Sequence, residues 1–208
     1  MPDITKTFEQ LVTASRSGNF LASFRSSALA NVTLQRHPLG FRVARLMSEG
    51  TNSLRLHIWP ISSQSAQPGF EIHDHTFAFK SHVLLGELQQ AVYSVIGSNA
   101  PEYSLYNVHY DQSGSILIKS GDGVAVSDIE RTTLRTGDTY ELGAEIFHRL
   151  DVGISNSAAT LLLTTQVGGV PRSLGPLDGP DTIRFERSSY AGTVMDELMR
   201  SFGDSGGG

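Results

Sequence analysis

The sequence predicts a mainly β, antiparallel barrel with helices at its two ends, and three observations carry that prediction. Between Arg42 and about Val167 the chain is a series of short runs rich in Val, Ile, Leu, Thr and Tyr. Turn signals interrupt these runs at Ser48-Glu49-Gly50, Gly97-Ser98-Asn99, Gly121-Asp122-Gly123 and Gly137-Asp138. Many short strands with no long helical pattern between them close into a sandwich or barrel. Ahead of this stretch, Phe8, Leu11, Val12 and then Phe20, Leu21, Phe24 recur at helical spacing, with a break at Ser17-Gly18. Behind it, Val194, Leu198, Met199 and Phe202 fall on one face of a last helix expected near 190–202.

At 208 residues the chain suits one core with terminal extensions. The expected division is a helical extension over 1–40, a barrel domain over 41–180, and a C-terminal helix with a disordered glycine-rich tail over 181–208. Seven Gly or Pro in the 13 residues 168–180 predict a loop that wraps the barrel surface.

Sixteen basic against 21 acidic residues give a net charge of −5, scattered rather than blocked. That pattern argues against nucleic-acid or anionic-membrane partners. No apolar run approaches the roughly 18 to 20 residues of a membrane helix, and the first 20 residues lack the apolar core of a signal peptide, so a cytoplasmic location is expected. The apolar faces of the N-terminal helices are expected to pack on the barrel or on a second copy, which leaves a homodimer open. With no cysteine, disulfides and thiolate ligands are excluded, and a tight metal site must use His, Asp or Glu.

The chemistry concentrates at His73-Asp74-His75. Alternate strand residues share a face, so the two imidazoles stand roughly 6.5 to 7 Å apart at the backbone and can converge on one ion, with Asp74 pointing the other way. An H-x-H pair is weak by itself; its surroundings add weight. The stretch Gly69-Phe70-Glu71-Ile72-His73-Asp74-His75-Thr76-Phe77-Ala78-Phe79, continuing to Gly86, is similar to the first motif of the cupin superfamily. Gly137-Asp138-Thr139-Tyr140-Glu141-Leu142-Gly143 with His148 resembles the second. The resemblance implies a cupin-type jelly-roll β-barrel with a metal on His73, His75 and His148.

Phe79 stands where the first motif usually carries a metal-binding Glu, and the usual Pro of the second is absent. A missing carboxylate and the distant His148-Arg149 make the site similar to that of the cysteine dioxygenase, or thiol dioxygenase, group. That likeness implies iron(II) on three neutral imidazoles, O₂ as co-substrate, and a small amino acid or thiol acid as substrate. The chain departs from the group in offering Thr164 and Thr165 where a tyrosine is expected, and in having no Cys for a thioether crosslink. Arg42 lies roughly where the group places the arginine that grips a substrate carboxylate.

Phe77 and Phe79 are expected on the face of His73 and His75, as dry walls for substrate. Tyr106 is a candidate proton donor or shuttle; Tyr110 shares its face and His109 takes the other. The class expected is a mononuclear non-haem iron oxygenase acting on a small carboxylate-bearing metabolite that binds the metal directly. Imidazoles suit zinc, nickel or manganese as well, so a non-redox isomerase, lyase or hydrolase stays open, as does a non-catalytic binding module.

Overall fold

The structure, a computed structural model, describes residues 3–61, 65, 68–111, 114–153, 155–186 and 188–203. Positions 204–208 of the expected glycine-rich tail lie outside them. Helices α1 (Ile4–Arg16) and α2 (Phe20–Arg25) come first, followed by strands β1 (Thr33–Arg36), β2 (Arg42–Glu49) and β3 (Asn52–Trp59). The centre of the chain holds β4 (Phe77–Gly97), β5 (Tyr103–Tyr110), β6 (Gly114–Arg135), β7 (Thr139–Leu142) and β8 (Phe147–Asp151). Strands β9 (Ala158–Gln166), β10 (Arg172–Gly175), β11 (Thr182–Glu186) and β12 (Ser189–Thr193) precede the last helix, α3 (Val194–Phe202). Every strand pairing is antiparallel. The architecture is thus the mainly β class expected, consistent with a cupin-type jelly roll.

The long strand β4 belongs to two sheets. Its first half, Phe77–Gly86, lies between β9 and β7, and β9 continues the sheet through β3, β2 and β1 to β12. Its second half, Glu87–Gly97, lies between β6 and β8. Gly86 is the corner: its φ is +83°, and a Cβ there would lie 2.1 Å from the carbonyl oxygen of Ser157. No side chain fits that approach, so any substitution forces the strand away from β9.

The second sheet closes on itself. The order β10, β5, β6, β4, β8 is completed by the backbone at His73, which bridges β8 at His148 and β10 at Ser173. Closure leaves this ring without an open edge.

The first sheet separates two layers. Ala44, Leu46, Leu54, Leu56, Ile58, Ala159 and Leu161 point to one side, where they pack with Ile4, Phe8, Leu11 and Val12 of α1, Phe20 and Phe24 of α2, and Val194 and Leu198 of α3. The N-terminal helices therefore cover the barrel. Asp3 starts α1 by accepting from the amides of Thr5 and Lys6, and α3 begins with a capping box between Thr193 and Asp196.

Three local expectations change. Gly121-Asp122-Gly123 is not a turn: β6 runs through it, and the pairing jumps from Ser104–Gly123 to Tyr106–Lys119, a bulge rather than a strand end. The 168–180 stretch is not all loop, because β10 inserts between β5 and His73. Strand structure also enters both terminal segments: β1 in the first, β11 and β12 in the last, with Tyr190 in β12 rather than in the helix.

Candidate metal centre

The backbone brings the three histidines together. His73 N–H donates to the carbonyl of His148 at 3.1 Å, and His148 N–H returns the bond to His73 at 2.9 Å. Residues 75 positions apart in sequence thus form a reciprocal antiparallel pair, whose side chains leave the same face of the sheet. His73 sits in this isolated bridge rather than in a regular strand, yet alternation still holds, because Asp74 points away from the cavity.

Asp74 is 2% exposed and fixes the segment from behind. It accepts from Arg172 Nε at 2.7 Å and from the Arg172 amide at 2.5 Å, while Asp74 N–H donates to the Arg172 carbonyl at 2.9 Å. A buried carboxylate held by a guanidinium and a backbone amide sets where His73 and His75 stand.

The three rings lie 4.7 Å (His73–His75), 4.8 Å (His73–His148) and 5.1 Å (His75–His148) apart between centroids. One ligand atom from each falls within 4.8 Å of the other two. His73 Nδ1 is 2.8 Å from the carbonyl of Glu71, and His148 Nδ1 is 3.0 Å from that of Ile146. A carbonyl can only accept, so each Nδ1 carries the proton and each Nε2 keeps its lone pair. Burial lowers the pKa of all three, with neighbouring histidines adding to the effect for His75 and His148; His148 falls to about 3. Each ring is neutral at pH 7, the form that binds a cation.

The histidines form one wall of a cavity of about 590 Å³, between the inner face of the first sheet and the ring. Phe77 and Phe79 line it as expected. The Phe77 ring stacks on His75 at 4.4 Å and 11°, and Phe79 lies 5.8 Å from His148. The facing wall comes from β2 and β3: Val43, Arg45, Arg55, His57 and Trp59 alternate with the residues that pack under the helices. Arg45 and Arg55 are direct cross-strand partners. Arg55 donates to Ser53 Oγ at 3.0 Å and covers the Phe77 ring at 4.6 Å.

Two sequence candidates stand elsewhere. Arg42 occupies a position of β2 whose side chain points to the helices, where it pairs with the fully buried Glu197 and stacks on Tyr190 at 4.2 Å. A one-residue step in a strand reverses the face, so Arg42 faces away from the cavity that Val43 and Arg45 line. Tyr106 is fully buried against Phe70, Leu117 and Ile183, and its hydroxyl donates to the Pro180 carbonyl at 3.0 Å. It is absent from the cavity wall because it packs under β11 instead. Tyr110 does line the cavity.

The residues missed from sequence are Arg45, Arg55, His57 and Tyr140, all on the wall. His57 is held neutral, its pKa lowered to about 3 by burial first, then by Arg55 and His73. The Tyr140 hydroxyl is buried beside Ser81, and burial pushes its pKa up to about 12. The alternation of Leu54 and Leu56 with Arg55 and His57 is the signal that could have found the latter two, but that pattern does not say which face encloses a cavity.

No protein-family model matches the chain, and no curated protein matches it. Solved structures give distant likenesses. A chain from crystal structures of DMSP lyases is 14% identical, with a TM-score of 0.38, over 63% of this chain and 51% of that one. This protein thus matches about half the length of the lyase chain. Hydroquinone 1,2-dioxygenase, solved with Cd²⁺ and 4-hydroxybenzonitrile, is 12% identical with a TM-score of 0.35, over 71% of this chain and 70% of that one. Drosophila melanogaster CENP-C bound to CAL1 is 12% identical with a TM-score of 0.39, over 76% and 99%. Likenesses this distant assign no activity.

Proposed function

We propose that this protein is a mononuclear, metal-dependent oxygenase in which His73, His75 and His148 hold iron(II) and a small carboxylate-bearing metabolite binds at the metal, with O₂ as co-substrate. The observation that carries the reading is the convergence of three neutral imidazoles, with no carboxylate among them, on one wall of a substrate-sized cavity. An ion about 2.0 to 2.1 Å from each nitrogen holds the nitrogens roughly 3 to 3.5 Å apart. Side-chain torsions reach that from the present spacing, so the residues fit the group.

Bound there, iron(II) would supply an undiminished double positive charge and open positions for an anionic substrate and O₂. The protein does the rest. Phe77 and Phe79 keep water from the reacting face, and the carbonyls of Glu71 and Ile146 hold two rings in the ligating tautomer. The cavity wall carries four arginines, Arg36, Arg45, Arg55 and Arg149, against Glu71 and Asp151. That excess of two positive charges, in a chain of net charge −5, draws an anion inward.

The reading is tested by metal analysis of protein purified without added metal, followed by oxygen-electrode traces with iron(II) and a panel of small amino, thiol and other carboxylic acids. Substrate-dependent O₂ uptake, lost on chelation, is the expected result. Stoichiometric zinc or nickel with no O₂ uptake under iron loading overturns the oxygenase and leaves a non-redox metal enzyme. Absence of any stoichiometric metal overturns both.

A further inference from the structure

The wall opposite the histidines is built of rings. Gly40, at φ +92°, closes a tight turn in which His37 N–H donates to the Phe41 carbonyl at 2.8 Å and Gly40 N–H to that of His37 at 2.9 Å. The turn folds the His37 ring flat onto Phe41, at 4.1 Å and 13°. Phe41 in turn lies 4.7 Å from His57 and 5.0 Å from Trp59, and the His57 and Trp59 rings meet edge to face at 5.9 Å. All four rings line the cavity, with Arg55 and Arg45 beside them on the same sheet face.

A continuous ladder of rings is an unusual lining for a site meant for a short aliphatic acid. Such a molecule cannot reach two walls of a cavity of about 590 Å³. A planar ring can lie against His57 and Phe41 while its carboxylate meets a guanidinium, satisfying stacking and charge together. We propose that this wall is a subsite for a ring-bearing, planar carboxylate, with the ring on Phe41, His57 and Trp59 and the charge answered by Arg55 and Arg45. The proposal deepens the functional reading, since it names the class of substrate presented to the metal; it rests on the cavity being the substrate site and is independent of which metal the histidines hold.

Trp59 is the chain's single tryptophan and stands in the ladder, so its emission reports occupancy without turnover. Benzoate and cyclohexanecarboxylate share charge and near-equal size and differ in planarity and π character. Titrated separately into the full chain, metal-free and zinc-loaded, benzoate is expected to quench Trp59 and to bind about tenfold more tightly, from ring contacts summed over the ladder. Phe41→Leu, which keeps an apolar side chain and removes a ring, is expected to erase most of that preference while changing cyclohexanecarboxylate little. Arg55→Gln is expected to weaken both acids alike and keep their ratio.

The preference is also expected to survive in His148→Ala. Equal affinity for the two acids, no binding of benzoate, or a preference that Phe41→Leu leaves intact overturns the subsite. If the preference holds while neither the earlier panel nor a series of ring-bearing carboxylates drives O₂ uptake under iron loading, the oxygenase falls and the aromatic subsite stands.

Discussion

The two faces of the first sheet put the same strands to opposite uses. Under the helices, Leu54, Leu56, Ile58, Ala159 and Leu161 are wholly buried, and the principal charged group there, Glu197, is bound by Arg42, Arg200 and the Tyr190 hydroxyl. On the cavity side the intervening residues Arg55, His57 and Leu162 line the open space, while Thr160 between them is fully buried. One face spends its polar groups on itself and holds the fold. The other keeps the Nε2 lone pairs of His73 and His148 free of protein donors, which is the condition for taking a ligand.

The contrast can be broken from either side. The largest effect is expected at the metal: His148→Ala should abolish stoichiometric metal in elemental analysis while leaving the far-ultraviolet circular dichroism unchanged. Retained tight binding would remove His148 from the ligand set. On the other face, Leu56→Ala should cost about 2 to 5 kcal/mol in urea unfolding, because it opens a hole between sheet and helices, with the metal content of the folded protein unaltered. Loss of metal from folded Leu56→Ala would show that the faces are not independent.

Glu197→Ala should cost roughly 2 to 3 kcal/mol by the same measurement, since it strips Arg42 of its buried partner and loosens α3. Asp74→Ala acts from behind the site and should lower metal affinity by about 10- to 100-fold in a chelator competition, with His73 and His75 still present.

The last effect is a pH slope, modest over any single pH unit. The pKa of His148 is depressed in the folded protein, so below the unfolded value of about 6.5 the unfolded chain takes up a proton that the folded chain refuses until about pH 3. Metal-free protein should therefore lose stability as pH falls from 6.5 toward 4, by up to about 1.4 kcal/mol per pH unit from this residue. Urea melts of His148→Ala against the parent should show the shallower slope; equal slopes would mean that the ring is not held neutral by burial.

Much of this was legible in the chain. The helical spacing of Phe8, Leu11 and Val12 and the short strands with their turns reflect local periodicity, and periodicity survives any tertiary arrangement. The convergence of His148 on His73 and His75 was anticipated through motif resemblance, not through physics of the sequence. Arg42 and Tyr106 were misplaced for one reason: alternation says which residues share a face, but not which face is covered by helices or by β11 and which is left facing a cavity. Gly121-Asp122-Gly123 was misread because a bulge and a turn use the same residues.

By itself, then, the sequence determined the class of the fold, the positions of most elements and the chemical means for a metal site without thiolates, because these depend on composition and on spacings of a few residues. The tertiary structure decided the rest. Two backbone hydrogen bonds between residues 73 and 148 set the histidines side by side, a capping layer of helices turned Arg42 outward, and the turn at Gly40 laid a ladder of rings across from them. The first two are pairings between residues far apart in the chain, fixed by closure of the ring and packing of the helix layer, and no local pattern encodes them; the turn at Gly40 is local, but only the sheet decides what its rings face.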